Sequence, residues 1–183
     1  MLLNIIHLPK RADRFDLLKK ELEVQKIRNY KIWDGIIDPK ILMRGISQAH
    51  KQIVRYAQSE KLPEILIGED DLHFTEKGAF QFFITNKPLD YDIYLGGITE
   101  GLINKDNSVD DFSGLTLYII NERFYNIFLS VPDNLNLDRA IRNRGKFVVC
   151  NPFVVVQYNG FSDNIKQFCN YNSFFEDRNL FGQ

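Results

Sequence analysis

Short apolar runs alternate with stretches of helical periodicity along the first part of the chain, and this alternation limits the fold more than any other feature. Residues 2–8 are apolar and closed by Pro9, which suits a buried first strand better than a helix of ordinary length. From Asp13 the apolar positions Phe15, Leu17, Leu18, Leu22 and Val24 fall among Lys and Glu at roughly helical spacing, predicting an amphipathic helix capped by Asp13. Residues 30–33 predict a second strand, ended by the turn pair Asp34 and Gly35. Ile46, Ala49, Ile53, Val54 and Ala57 stripe a second helix over 46–59, and residues 65–67, after Pro63, read as a third strand. The order β-α-β-α-β predicts an α/β fold: a parallel sheet flanked by helices, with ligands at the carboxyl ends of the strands.

The remainder continues the pattern. A helix is expected over 78–83, a strand over 91–95 ended by Gly96 and Gly97, and a polar loop over 104–113. A strand over 115–120, helical spacing over 122–129 and a short helix over 138–143 follow. Residues 147–150 and 153–156 flank Asn151 and Pro152 as two strands or one interrupted strand. A chain of 183 residues, 44% hydrophobic and 26% charged, can bury a substantial core, so a single domain over 1–183 is expected. Fifteen Phe and eight Tyr serve as core filling before they serve as ligand platforms.

A formal net charge of −1 gives no general reason to expect a nucleic-acid partner, and leaves peripheral membrane association open. Cys150 and Cys169 are too few to staple the chain and sit in no metal-binding spacing, so free thiols in a reducing compartment are expected. The N-terminal apolar run contains Asn4 and His7 and lacks a preceding basic segment, unlike a signal peptide. No apolar run reaches the roughly 18–20 residues of a bilayer span, which makes the cytoplasm the expected location.

The third strand runs directly into Gly68, Glu69, Asp70 and Asp71. If strand geometry continues through them, Glu69 and Asp71 point one way and Asp70 the other, so that two carboxylates converge on one ligand. Mg²⁺ or Mn²⁺ is commonly held by one or two carboxylates together with substrate phosphates. Three acids after a strand also serve as a solvated turn or a cap. A buried strand end favours the ligand use, because adjacent like charges there need water or a cation.

Several further segments fall in a telling order. The opening Ile5-Ile6-His7-Leu8-Pro9-Lys10-Arg11-Ala12-Asp13-Arg14 precedes the Asp34-Gly35 turn and the segment Gly45-Ile46-Ser47-Gln48-Ala49-His50. Ile65-Leu66-Ile67-Gly68-Glu69-Asp70-Asp71 and Tyr91-Asp92-Ile93-Tyr94-Leu95-Gly96-Gly97 follow. Then come Gly114 to Ile120, Asp138, and Pro152 through Gln157 to Ser162 and Asp163. In this order and spacing the motifs resemble glycosyltransferase family 25, which contains lipopolysaccharide and collagen galactosyltransferases. Ile46 and Ala49 stand where that family carries Cys and Ser.

The resemblance implies a GT-A-like, Rossmann-type mixed and mainly parallel sheet flanked by helices. It also implies a nucleotide-sugar donor such as a UDP-hexose carrying galactose or glucose, a saccharide or other hydroxyl acceptor, a divalent Mn²⁺ or Mg²⁺, and inversion at the anomeric carbon. Asp71 with Glu69 is then the metal pair. Donor contacts fall to Leu8, Arg11, Arg14, Asp34, His50, Glu69, Asp70, Gly96, Gly97 and Gln157, with Asp163 lining the same cleft. Asp138 is the general base, although an acid opening a helix is equally an N-cap. His50 either binds donor or holds a loop, and Arg11 and Arg14 either reach phosphates or pair with acids. The altered 45–50 segment also admits a noncatalytic nucleotide-sugar or carbohydrate-binding module, and the acids alone admit a metal-dependent phosphohydrolase.

Overall fold

A computed structural model describes residues 1–163 and 166–183. In chain order it contains β1 (Leu3–His7), α1 (Ala12–Val24), β2 (Tyr30–Asp34), α2 (Leu42–Ser59), β3 (Glu64–Glu69), β4 (Leu72–Phe74), α3 (Ala79–Thr85) and β5 (Ile93–Leu95). There follow β6 (Glu100–Gly101), β7 (Phe112–Ser113), β8 (Leu117–Asn121), α4 (Tyr125–Ser130), α5 (Leu137–Ile141), β9 (Phe147–Val149), β10 (Val155–Gln157), β11 (Gly160–Ser162) and β12 (Gln167–Cys169). The central sheet has the order β2-β1-β3-β8-β5-β9. β1 is parallel to β2 and β3, β9 is parallel to β5, and β8 alone runs antiparallel to its neighbours β3 and β5.

Side-chain alternation divides the core between the two faces of this sheet. Ile65, Ile67, Tyr118, Ile120, Ile93 and Leu95 join Ile53, Val54 and Ala57 of α2 and Phe128 of α4 on one face. Leu66, Leu117, Ile119 and Tyr94 join Leu18 and Leu22 of α1 and Phe83 of α3 on the other. Phe83 stacks on Tyr94 with ring centroids 4.5 Å apart. The central strands are therefore apolar on both sides, as a sheet covered on both faces requires.

Two local expectations are corrected, and one open choice is resolved. Arg11, not Asp13, occupies the N-cap of α1; Asp13 lies in the first turn, where its carboxylate accepts from Arg11 Nε at 2.9 Å and Nη2 at 2.7 Å. The runs around Asn151 and Pro152 are two strands in different sheets: β9 closes the central sheet, while β10 pairs with β4 in a separate ribbon. The strand before the acids ends at Glu69, and Asp70 and Asp71 form the turn into β4, so period-two alternation does not extend through the cluster. Among the described residues, no helix is long and apolar enough to cross a membrane, and both cysteines are free.

Candidate active site

The carboxyl ends of β1, β2 and β3 and the start of antiparallel β8 share one edge of the sheet, where Glu69 N donates to Thr116 O at 2.9 Å. A cleft opens there. Ile6, Leu8, Gly35, Ile36, Ala49, Arg14 and the three acids line its centre.

The turn after β3 aims the acids differently from the sequence expectation. Asp70 is consumed internally: its Oδ2 lies 2.7 Å from His7 Nδ1 and accepts from Leu8 N at 3.2 Å, and its Oδ1 accepts from Arg14 Nη1 at 2.9 Å. The same Arg14 nitrogen lies 3.1 Å from Asp71 Oδ2. It is therefore Asp70 and Asp71, not Glu69 and Asp71, that converge on one group, and that group is a guanidinium. Glu69 turns toward α2, where its Oε1 lies 3.2 Å from His50 Nε2.

Asp71 is the strained member of the cluster. Its Oδ1 is buried and has no hydrogen-bond partner among the described residues. Burial, followed by the charge of Glu69, pushes its carboxyl up to about 7, with Arg14 pulling the other way. A carboxylate oxygen left without a donor or cation is costly, and a bound cation is one way to satisfy it. No group of three or more His, Cys, Asp or Glu side chains with metal-binding geometry occurs among the described residues. The one observation that suits a divalent ion is the orphaned Asp71 Oδ1, which could serve as a single protein carboxylate ligand to an ion completing its shell from phosphate or water oxygens.

His50 reaches the site because of Gly45. A Cβ at Gly45 would lie 2.2 Å from Ile36 O, so only glycine lets α2 cross the loop after β2 this closely. Asp38 then holds the approach to the helix, accepting from Lys40 N at 2.8 Å and Ile41 N at 2.9 Å. His50 Nε2 pairs with Glu69 Oε1, and its Nδ1 lies 2.9 Å from Tyr118 OH on the other side of the ring. Burial, with the charge of Glu69, raises the Tyr118 phenol well above its ordinary range and keeps it a donor.

A second lobe lies beside α5. Met43, Thr99, Ser113, Gly114, Asn136 and Asp138 line it, and it shares Ile46, His50, Glu69, Gln157 and Tyr171 with the central cleft. Asp138 Oδ2 accepts from Gly114 N at 3.0 Å and Oδ1 from Arg139 N at 2.8 Å. The N-cap position of α5 is Asn136; Asp138 stands in the first turn, where it bonds a backbone N–H of the helix start and is fixed by the loop before β8. A third, mainly apolar lobe is lined by Ile37, Pro39, Leu42 and Phe161 with Lys10 and Lys166, and shares Leu8, Ile36, Ile46 and Asp163 with the centre.

Leu8, Arg14, His50, Glu69, Asp70, Asp71, Gln157 and Asp163 thus meet in the central cleft, with Asp138 in the adjoining lobe. Four other expected residues stand outside it. Arg11 is drawn off by Asp13 and by Asp163, whose Oδ2 lies 2.6 Å from Nη1. Asp34 is exposed on the edge strand, where its carbonyl accepts from Gln52 Nε2, and its neighbours Gly35 and Ile36 face the cleft instead. Gly96 and Gly97 are approached by β10: a Cβ at Gly97 would lie 2.3 Å from Val155 O, and one at Gly96 would lie 2.9 Å from Val155 Cγ1. Their small size serves ribbon packing. Tyr171 was missed, since a lone tyrosine between Asn170 and Asn172 carries no local pattern.

No protein-family model and no curated protein matches the chain. Among solved structures, HddC from Yersinia pseudotuberculosis, complexed with GMP-PN, is similar over 85% of this chain and 92% of its own, at 15% identity and a TM-score of 0.53. The fold is GT-A-like. A glycosyltransferase involved in glycosylation of the major capsid of PBCV-1 aligns over 82% of this chain and 81% of its own, at 14% identity and a TM-score of 0.47. A mutant Drosophila galactosyltransferase 7, in complex with manganese, UDP-Gal and xylobiose, aligns over 97% of this chain and 74% of its own, at 10% identity and a TM-score of 0.49. At these identities the likeness is one of fold, and the chemistry must be argued from the cleft.

Proposed function

We propose that the chain is a metal-assisted glycosyltransferase of the family 25 type. It moves a hexose, galactose or glucose, from a UDP donor to a hydroxyl of a saccharide acceptor, with inversion. The observation that carries this reading is the order of the three joined lobes: mainly apolar against Leu8 and Ile36, charged at Arg14 and the acids, and mixed around Asp138, where Thr99, Ser113 and Asn136 stand among leucines. A nucleotide sugar has the same order of parts, a flat base, a diphosphate and a polyol, and the acceptor lies beyond it. The fold is shared with a protein that was solved with GMP-PN, and the edge of the sheet used here is where α/β folds bind ligands.

In this reading the nucleoside lies against Leu8 and Ile36. Arg14, already oriented by Asp70, Asp71 and the Phe161 carbonyl, faces the diphosphate. Asp71 Oδ1, which has no protein partner among the described residues, would hold the divalent ion together with phosphate or water oxygens, and the ion would supply charge neutralisation for the departing diphosphate. His50, backed by Tyr118, fixes the Glu69 carboxylate. Asp138, held by Gly114 N, takes the proton from the acceptor hydroxyl as that oxygen attacks the anomeric carbon from the face opposite the leaving group.

A module that binds the donor without transfer is the second reading. It is favoured by the Arg14 bridge across Asp70 and Asp71, which meets with an internal cation part of the charge that a metal would otherwise meet. Titration of the purified chain with UDP-, GDP- and CMP-sugars in the presence and absence of Mn²⁺, followed by assay of sugar transfer, separates the two. Metal-dependent UDP-sugar binding with transfer supports the first, and binding without turnover supports the second. No nucleotide-sugar binding under any condition sinks both.

A further inference from the structure

The central cleft and the Asp138 lobe meet at a waist formed by Ile46, His50, Glu69, Gln157 and Tyr171. Tyr171 is the only Phe, Tyr or Trp ring lining either space among the described residues. It comes from the segment after β12 and is held in place at its backbone. Its N–H donates to Asn159 Oδ1 at 2.6 Å, and its carbonyl accepts from Phe174 N at 3.0 Å. The ring is half-buried and packs against the larger core cluster, so its position is set by the fold before any ligand arrives. Around it stand one apolar side chain, Ile46, an imidazole, a carboxylate and an amide.

We infer that Tyr171 is the surface that reads the transferred sugar. A pyranose presents an apolar C–H face and a rim of hydroxyls. An aromatic ring covers the first, and the Glu69 carboxylate and Gln157 amide can bond the second. The inference rests on the proposed donor chemistry and deepens it: the nucleotide and diphosphate are held by other residues, so Tyr171 bears on which sugar is attached. The ligand class is a nucleotide diphosphate bearing a neutral hexopyranose. The waist has little use for a nucleotide that ends at its phosphates.

The measured quantity is the ratio of the Kd for UDP to the Kd for UDP-galactose or UDP-glucose, by calorimetry on the full chain with Mn²⁺ present. For the wild type, at least one sugar is expected to tighten binding by about five- to tenfold over UDP, the scale of a well-formed aromatic contact. Tyr171→Phe keeps that ratio, because the ring remains. Tyr171→Ala brings it toward one. Tyr171→Leu, which preserves bulk and core packing without a ring, does the same if the alanine variant does not fold. A sugar increment that survives in Tyr171→Leu or Tyr171→Ala overturns the inference and leaves the donor chemistry standing. Loss of the increment in Tyr171→Phe also overturns it, by assigning the effect to the hydroxyl. A wild type that binds neither UDP nor UDP-sugar removes the donor reading and the inference together.

Discussion

At the scale of single residues, the decisive atom is Asp71 Oδ1, buried without a hydrogen-bond partner among the described residues, beside a carboxylate and across from a guanidinium. On the proposed metal role, a group pushed up to about 7 must lose its proton before it can take a cation, so Mn²⁺ binding in the presence of UDP-glucose, whose diphosphate does not titrate in this range, is expected to strengthen as pH rises through about 7. Asp71→Asn, similar in shape but unable to ionise, should abolish that pH dependence and weaken Mn²⁺ binding. Calorimetric titration at several pH values reads both. Metal affinity that is flat with pH would remove Asp71 from the ligand set. Glu21 of α1 shows the opposite shift. Burial alone would raise it, but the bonds from His73, Tyr158 and the Phe74 N–H hold it below the usual glutamate value. A depressed folded value contributes stability that is complete above the unfolded pKa and lost as pH falls through the folded one. Thermal melts should show Glu21→Gln least stable relative to wild type near neutrality, with the gap closing in acid.

Among the elements, α2 and its surroundings are under the tightest constraint. Ala at position 45 would gain about 1 kcal/mol of helix propensity, yet its Cβ would sit 2.2 Å from Ile36 O, a backbone atom that cannot swing away. The overpacking cost of roughly 1–3 kcal/mol wins, and Gly45→Ala is expected to lower the urea midpoint. A midpoint at or above wild type would show that the loop after β2 yields freely. The same helix carries Lys51, 1% exposed, whose Nζ lies 2.5 Å from Asp133 Oδ1 and also donates to Val131 O. Lys51→Met fills the space but strands Asp133. Because Asp133 is 29% exposed and can recover water, the expected loss is nearer ~1–2 kcal/mol than the ~3–5 of a fully buried broken pair. Equilibrium denaturation measures it.

At the level of the whole molecule, each central strand contributes side chains to both core clusters, as β3 does with Ile65 and Ile67 on one face and Leu66 on the other. Neither face can be lost without exposing the reverse side of the same strands. Unfolding is therefore expected to be one cooperative transition. Trp33, the only tryptophan, reports from edge strand β2, where its Nε1 donates to Asn4 Oδ1 at 2.9 Å. Its fluorescence and the far-ultraviolet circular dichroism should give coincident urea curves. Separated curves would mean that the β2 edge opens on its own.

The alternation of apolar runs and helical stripes was legible from the chain itself, and so was the placing of the acids at a strand end, because periodicity and turn chemistry are local properties. Nothing local distinguished β9 from β10, which look alike in sequence yet belong to different sheets. The division of labour among the acids also lay beyond the sequence. Asp70 is spent on His7, Leu8 N and Arg14, Glu69 faces His50, and Asp71 keeps an oxygen with no partner among the described residues, because the chain turns after Glu69 and residues from three other elements close around the turn. Gly96 and Gly97 read as cleft glycines until β10 is seen lying on them. Tyr171 had no pattern to announce it, and only the folding of the C-terminal segment across the sheet edge brings it to the waist of the cleft. Sequence determined which residues carry charge and where strands end; tertiary structure decided which charges meet, since that depends on distances between segments far apart along the chain.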